Sequence, residues 1–351
     1  MKPVCLLAIE SSADETSAAV LFGGKKTKQF RLASNVIYSQ IKIHQKTGGI
    51  VPEVAARNHI LKILPIIELA LAKAKINLKQ VDVIAVTAGP GLITSLMIGV
   101  DTAKALAFTL KKPLIAVNHM EGHLLSALGG KNFQFSIFNL PALGLIVSGG
   151  HTMLVLVKKI GEYKILGETV DDAAGECFDK VAKIMKLPYP GGPSVAQRAT
   201  KFKVKNAKLR IDLPRPMLDS KNYNFSFSGL KTAVLYKVRE LGKLNNDLIN
   251  QIAYETQQAI IDVLVAKTIR AAKELKVKTI LLGGGVSANT KLRAVLAAEI
   301  KENLNSRFLI PDSSLTTDNA GMIAIAAWFK FLRGETVPVS KIRADPNWEI
   351  A

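Results

Sequence analysis

The sequence predicts an α/β protein built from two copies of one supersecondary unit. Apolar strand-like runs alternate with segments whose apolar residues recur at helical spacing, which is typical of sheets covered by helices. Two segments match in pattern, LLAIESSADETSAAVLF and LGLIVSGGHTMLVLV. Each predicts a strand, a small polar turn containing Thr and Ser, and a returning strand. Because a helix and a further strand follow each segment, we predict a duplicated β-β-β-α-β-α unit.

The elements of both copies follow from the apolar pattern. Predicted strands of the first copy cover residues 3–9, 17–22, 30–39, 82–87 and 114–117. Its helices cover residues 53–76 and 93–110, and Pro52 is placed to open the first of them. Predicted strands of the second copy cover residues 142–147, 153–158 and 277–282. A helix starting near Ser287 follows, and a final helix at 319–332 is expected to pack back on the first half.

The length of the chain supports this division. A chain of 351 residues with 48% apolar residues is too long for one typical core, so two domains are expected. We predict one lobe from residues 1–117 and 319–351, and a second from residues 118–318 with a basic insertion near 187–227. Ligands favour clefts between domains, so a ligand cleft between the two lobes is expected.

The charge favours a polyanionic partner. The net charge is +19, which favours nucleic acid, although solvated lysine-rich surfaces would give the same value. Residues 201–205, with Lys208 and Arg210, alternate basic and apolar side chains. On a strand this pattern gives a basic face for phosphate contacts, or equally an edge strand protected by lysine.

The remaining composition favours a cytoplasmic protein. Cys5 and Cys177 are far apart and Cys5 falls in a predicted buried strand, so a disulfide framework is not expected, as suits a reducing compartment. The N-terminal apolar run is too short for a signal peptide, and acidic residues follow it too closely. No apolar run approaches the roughly 20 residues that span a bilayer.

A histidine pair in the segment HMEGH is the sharpest candidate for chemistry. His119 and His123 share one face if the segment is helical, so they predict either a divalent metal site or an exposed polar face. Met120 stands where the protease motif HExxH has its catalytic Glu, which weakens a protease interpretation. Asp318 is a candidate third ligand, although it is equally well placed as the N-cap of the last helix.

Glycine loops and acidic clusters are further candidates. Residues 148–150 and 283–285 each follow a predicted strand, so they suit either nucleotide phosphates or ordinary turns, and neither matches a Rossmann or P-loop motif. Glu10, Asp14 and Glu15 place three carboxylates on the first turn, where they could orient a metal or a water, or form a solvated hairpin. Acids at 171–176 are expected at a helix start from the dipole alone.

Taken together, the motifs resemble one family. The matching segments are AIESSADETSAAV, GGIVPEVAARNHI, TAGPGLITSLMIG, VNHMEGHLLS, LIVSGGHT, DDAAGECFDKVAK, YPGGP, RPM, FSFSGLKTA, GGGVSANTKLR and TDNAGMIA. They run from Ala8 to Ala324 in the order and spacing of the tRNA N6-adenosine threonylcarbamoyltransferases, the TsaD family, once called O-sialoglycoprotein endopeptidases. Ile146 and His151 are similar to the bacterial type.

The resemblance implies a fold and an activity. It implies an actin-like fold of the sugar-kinase and Hsp70 type. It also implies transfer of threonylcarbamoyl from threonylcarbamoyl-AMP to N6 of adenosine 37 in tRNAs that read ANN codons, with release of AMP. The implied partners are tRNA, a metal-free paralogue of the TsaB type and a small P-loop ATPase of the TsaE type, with no membrane.

The resemblance also implies roles for individual residues. One divalent metal, iron first and zinc second, would be held by His119, His123 and Asp318. Asp14 and Glu15 would lie near the reacting centre. The adenylate would be bound by a set of residues from the second half: Ile146, Val147, Ser148, Gly149, Gly150, Asp179, Gly192 and Asn289. Ala13 and Ala196 depart from the family pattern, so a thiol role and one ligand hydroxyl contact do not carry over.

Three other functions are weighed against this one. A metalloprotease would need a general base beside the histidine pair. An ATPase or sugar kinase of the same fold would use first-turn acids without histidines. A non-catalytic RNA-binding subunit would use the basic strip alone.

Overall fold

A computed structural model describes residues 2–27, 29–129, 139–202 and 211–350. Most of the predicted basic strip, including Lys203, Lys205, Lys208 and Arg210, lies outside the described residues. The chain divides into two compact units, and each is described by itself. The first comprises Met1–Phe138, Ile160–Glu162 and Ile310–Ala351, and the second comprises Asn139–Lys159 and Tyr163–Leu309.

The first unit contains a five-stranded sheet in the order β3-β2-β1-β4-β5. Its strands are β1 (Val4–Glu10), β2 (Glu15–Gly23), β3 (Phe30–Ser39), β4 (Val83–Gly89) and β5 (Leu114–Asn118). Its helices are α1 (Ile41–His44), α2 (Pro52–Lys73), α3 (Ile93–Leu110), α4 (His119–Ser126) and, from the end of the chain, α10 (Ala320–Leu332). The first three strands are antiparallel, whereas β1, β4 and β5 are parallel.

The second unit repeats this order, as β8-β7-β6-β9-β10. Its strands are β6 (Ala142–Val147), β7 (Thr152–Lys159), β8 (Glu162–Glu168), β9 (Thr279–Gly283) and β10 (Arg307–Leu309). Its helices are α5 (Ala174–Ile184), α6 (Gly191–Ala199), α7 (Ser228–Leu241), α8 (Asn246–Glu274) and α9 (Thr290–Asn303). Because β6 pairs antiparallel with β7 and parallel with β9, it occupies the place of β1, and the predicted duplication is confirmed.

Strand β1 shows why the first sheet is covered on both faces. Side chains of a strand alternate between faces. Leu7 and Ile9 pack in the core that lines α2 and α3, whereas Leu6 and Ala8 pack in the core of α10. The final helix therefore packs on the first half, as predicted. Trp328 of α10 lies directly over Gly23, where an added Cβ would be 2.3 Å from the indole ring.

Some boundaries differ from the sequence predictions. Helix α4 and residues 310–318, which we assigned to the second lobe, belong to the first unit because α4 packs against α10. The helix expected near Ser287 begins at Thr290 instead, because Gly285–Ala288 forms a 3₁₀ turn and Asn289 caps α9. The predicted ligand cleft between the lobes stays a prediction.

Helix α3 is the one described helix that is long and apolar enough to cross a membrane, judged by length and composition alone. One side of it is built into the core of the first unit, where Leu96, Val100 and Ala103 are buried. Core helices of this kind meet the same criteria, so α3 gives little support to a membrane span.

Candidate metal centre and glycine loops

The histidine pair lies on α4, which starts directly after β5. Asn118 caps this helix, since its side-chain oxygen accepts hydrogen bonds from the N–H groups of Met120 (2.8 Å) and Glu121 (3.3 Å). The amide nitrogen of Asn118 donates to the carbonyl of Trp348 at 2.8 Å, so the end of the chain holds the start of the helix. His119 is 5% exposed and His123 is 0% exposed, which excludes an exposed polar face.

Asp318 completes a group of three possible ligands. Its Oδ1 lies 3.4 Å from His119 Nε2 and 3.1 Å from His123 Nε2, and all three ligand atoms lie within 4.8 Å of one another. The alternative role of Asp318 as an N-cap is wrong, because the neighbouring Asn319 caps α10 by accepting from Met322 N–H at 3.0 Å. The Asp318 carboxylate therefore does not cap α10.

The chemistry of this group fits a divalent cation. Both ring nitrogens of His123 are buried and neither makes a well-aligned hydrogen bond, although Nε2 lies 3.1 Å from Asp318 Oδ1. A buried polar nitrogen without a partner is costly, and a metal ion is a natural partner for it. Two imidazoles and one carboxylate are common ligands of zinc and iron. The side chain of Asp318 is 22% exposed, which leaves one side open to a further ligand.

Glu10 has a role that the sequence analysis missed. Its fully buried carboxylate lies 3.0 Å from His119 Nδ1, and it accepts further hydrogen bonds from Thr87 Oγ1 and the Ser12 N–H. The Ser12 hydroxyl lies 3.1 Å from the same ring nitrogen. A carboxylate that accepts from one ring nitrogen fixes the tautomer and presents the other to a metal. Glu10 therefore orients His119 and is not part of a solvated hairpin.

The electrostatics of the centre match this arrangement. Burial lowers the pKa of His119, but the charges of Asp318 and Glu10 outweigh burial and raise it to about 10. Burial acts to raise the pKa of Asp318, but the charge of His119 holds it well below its usual range. Burial lowers the pKa of His123. Asp318 and Glu10 thus stabilise the positive charge of protonated His119, and a bound cation would replace the proton on His119 Nε2.

Asp14 and Glu15 form a separate acid pair at the start of β2. Both are buried, at 7% and 8% exposure, so the solvated hairpin is wrong for them as well. Burial raises the pKa of Asp14. Burial and the adjacent charge of Asp14 raise the pKa of Glu15 well above its usual range. Adjacent buried carboxyls tend to share a proton, so this pair can hold or accept one.

Glu121 takes no part in the centre. Its carboxylate oxygens lie 3.8 Å from Lys330 Nζ and 3.8 Å from Arg333 Nη2, both at the end of α10. Both contacts direct the Glu121 carboxylate towards the end of α10. The structure thus agrees with the sequence argument against a protease.

The glycine loops of the second unit meet at the carboxyl ends of the parallel strands β6 and β9. Gly284, with φ at +87°, leaves space for the Val147 carbonyl, which would be 2.4 Å from an added Cβ. Gly175 at the start of α5 donates to the Ser148 carbonyl at 3.2 Å. Gly149 and Gly150 are exposed and face open space. Ligands of open α/β sheets bind at this edge, so these backbone groups suit a phosphate.

The other three predicted adenylate residues have contacts within the protein. Asp179 accepts a hydrogen bond from the Gly191 N–H at 2.6 Å, and the neighbouring Gly192 faces open space. Asn289 caps α9 with its oxygen and donates to Gln257 Oε1 at 2.9 Å. The structure brings these residues into the second unit beside its glycine loops, and their contact with a ligand stays a prediction.

Replacing Glu10 by Gln is expected to weaken metal binding by about 10- to 100-fold, the usual effect of removing a carboxylate behind a histidine ligand. The neutral amide no longer fixes the tautomer of His119 through a charged acceptor. Competition with a chelator of known affinity measures the change. Glu53→Gln, on the exposed side of α2, is the matched control. Equal affinities in the two variants would exclude the orienting role.

Two sheets of the same strand order define an α/β protein of the actin-like type, and the buried His-His-Asp group defines a candidate metal centre in its first unit. The family profile described as tRNA N6-adenosine threonylcarbamoyltransferase, TsaD, matches residues 31–325. The chain belongs to this family. It is therefore a transferase that modifies tRNA.

Individual relatives agree with this assignment. The tRNA N6-adenosine threonylcarbamoyltransferase of Thermosipho africanus is 46% identical over 345 residues, covering 98% of this chain and 99% of that protein. The Bacillus subtilis enzyme of the same name is 45% identical, covering 95% and 92%. The fold is shared with HypF of T. kodakarensis, with a TM-score of 0.61 at 15% identity over 95% of this chain and 49% of that one.

Proposed function

We propose that the chain moves a threonylcarbamoyl group from threonylcarbamoyl-AMP to N6 of adenosine 37 in tRNAs reading ANN codons, and that a divalent metal on His119, His123 and Asp318 is required. The buried His-His-Asp group, with Glu10 behind His119, carries the proposal. Two histidines and one carboxylate with open positions are typical of non-haem Fe²⁺, so Fe²⁺ is the first candidate and Zn²⁺ the second.

The reaction follows from the chemistry of the donor, a mixed anhydride. The N6 amine attacks the carbamoyl carbon, a C–N bond forms, and the bond from that carbon to the phosphate oxygen breaks. AMP leaves with the electron pair. The metal, when bound, would orient donor oxygens and stabilise negative charge. The amine loses one proton, and the pair formed by Asp14 and Glu15 would accept it, because burial raises the pKa of both.

The second unit would bind the adenylate. Gly149 and Gly150 are exposed just after the end of β6, where their backbone N–H groups would suit a phosphate group. Asp179, Gly192 and Asn289 would complete the adenylate site. A reducing cytoplasm suits both the tRNA substrate and the two free, buried cysteines.

The decisive experiment supplies preformed threonylcarbamoyl-AMP, labelled in threonine, so that chelation does not affect synthesis of the donor. The chain, its partners and an ANN-reading tRNA are mixed with and without a chelator. We expect label at adenosine 37, its loss with chelator, and its return with Fe²⁺. A tRNA with guanosine at position 37 is the control. No label under any metal condition would refute the proposal, and sustained ATP hydrolysis in a metal-free chain would favour the kinase-type alternative.

We also propose that a metal-free TsaB-type paralogue and a TsaE-type ATPase assist the reaction. Exposed apolar side chains on two adjacent helices support the paralogue: Leu61 and Leu64 of α2 are 69% and 56% exposed, and Met97 and Phe108 of α3 are 49% and 76% exposed. Exposed apolar patches of this kind mark protein interfaces.

Replacing Leu61 and Leu64 by Asp is expected to abolish co-elution with the purified paralogue, because two charges would be buried at the apolar contact. Size-exclusion chromatography of the mixed proteins measures the co-elution. Tyr236→Asp, at a similarly exposed position of α7 in the second unit, is the control. Unchanged co-elution of the double variant would place the paralogue on another surface.

A further inference from the structure

We infer that His59 of α2 is a positioning residue that holds the acid pair Asp14–Glu15 in its reactive place. The inference rests on the proposed role of that pair. His59 is fully buried and 46 residues from the turn it contacts, and it has no place in the metal centre or the glycine loops.

The two ring nitrogens of His59 contact the residues on either side of the pair. His59 Nε2 lies 3.0 Å from the carbonyl oxygen of Ala13, which precedes the pair. His59 Nδ1 lies 2.8 Å from the hydroxyl of Thr16, which follows it. One rigid ring thus spans the turn from Ala13 to Thr16 and fixes both of its ends.

The direction of both hydrogen bonds follows from the partners. A carbonyl oxygen can only accept, so Nε2 carries the proton and donates to Ala13. Burial lowers the pKa of His59, so the ring is neutral and its Nδ1 accepts from the Thr16 hydroxyl. Both nitrogens of a fully buried ring are then satisfied, and a ring flip or a tilt would leave at least one of them unpaired.

A second contact holds the same turn without using its carboxylates. The Gln40 N–H donates to the carbonyl oxygen of Asp14 at 3.1 Å, and the Gln40 side chain donates to Ala55 of α2 at 3.3 Å. The turn is therefore held mainly by its backbone and by Thr16, and the Ser39 hydroxyl adds a hydrogen bond to Glu15 Oε1 at 3.0 Å. Asp14 Oδ2 is buried without a hydrogen-bond partner, so none of these contacts engages this oxygen.

Contacts that hold the turn but not the Asp14 carboxylate suit a group that accepts a proton. A base must be held within a fraction of an ångström, and its proton-accepting oxygen must not already be engaged. The His59 ring meets the first requirement through the neighbours of the pair and leaves the second intact. The expected consequence of removing it is a lower kcat, with unchanged metal binding and unchanged KM for tRNA.

Two pairs of variants test the inference. His59→Leu removes both hydrogen bonds, whereas His59→Gln keeps a donor for the Ala13 carbonyl. Thr16→Val removes the hydroxyl at constant shape, whereas Thr16→Ser keeps it. We expect His59→Leu and Thr16→Val to lower kcat by about 10- to 100-fold, the effect of a small misplacement of a reacting group. His59→Gln and Thr16→Ser should recover most of the loss.

The controls separate this inference from the function on which it rests. Metal content and KM are measured for each variant with preformed donor. If His59→Leu does not fold, the two Thr16 variants alone test the positioning role. Wild-type kcat in both His59→Leu and Thr16→Val, or a loss accompanied by lost metal, would overturn the positioning role. Wild-type kcat in Asp14→Asn combined with Glu15→Gln would instead refute the proposed base.

Discussion

Replacing Asp318 by Ala is expected to remove the bound metal and abolish tRNA modification. The carboxylate is the one anionic ligand of the proposed set, and it faces both His119 and His123 at 3.1 to 3.4 Å. Loss of a residue behind a ligand already weakens metal binding by about 10- to 100-fold, so loss of the ligand itself should exceed that range. Metal analysis after dialysis and single-turnover modification with preformed donor measure the two effects.

Asp101→Ala is the matched control for this prediction. Asp101 lies on α3 of the same unit with 63% of its side chain exposed, and its ion pair with Lys104 is worth little. We expect full metal content and an unchanged rate of chemistry in this variant. Wild-type metal affinity in Asp318→Ala would refute the ligand set, whatever the activity.

Replacing Trp328 by Ala is expected to lower the free energy of unfolding by about 3 to 5 kcal/mol, as for other large buried aromatic residues. Trp328 is fully buried in the core shared by α10 and the first sheet. Its ring packs against Gly23 on one side and lies 5.8 Å from the Phe331 ring. Because Gly23 has no side chain that could move into the space above it, the cavity should remain largely open.

Urea unfolding followed by circular dichroism measures this change, since the substitution also removes one of the two tryptophans whose fluorescence would report it. Tyr236→Ala is the control. Tyr236 is 62% exposed on α7, so its removal should change stability by less than about 0.5 kcal/mol. A loss below about 1 kcal/mol for Trp328→Ala would show that the core collapses around the missing ring.

Local pattern accounts for most of the predicted elements. The bounds of β3, α3 and β6 agree with the predictions to the residue. Strand β6 is a continuous apolar run that follows Pro141, and α3 follows the loop Gly89-Pro90-Gly91, so their starts are marked locally. The helix near Ser287 was misplaced because three glycines permit a tight 3₁₀ turn before the Asn289 cap.

The candidate metal ligands were also predictable from the sequence, whereas their surroundings were not. His119 and His123 are four residues apart on one helix, which is a local relation. Asp318 was a candidate third ligand that could also cap α10, and the resemblance to the family favoured it as a ligand. Only the structure assigned that cap to Asn319, because the choice depends on which side chain the helix start faces.

By itself, the sequence determined the α/β class, the duplication, the family and the candidate ligands, because each depends on residue order or on contacts within a few positions. The tertiary structure alone decided that Glu10 orients His119 across 109 residues, that Glu121 is held by α10, and that His59 holds the acid pair. These roles depend on burial and on hydrogen bonds between distant segments, and no local pattern encodes which side chains folding will bring together.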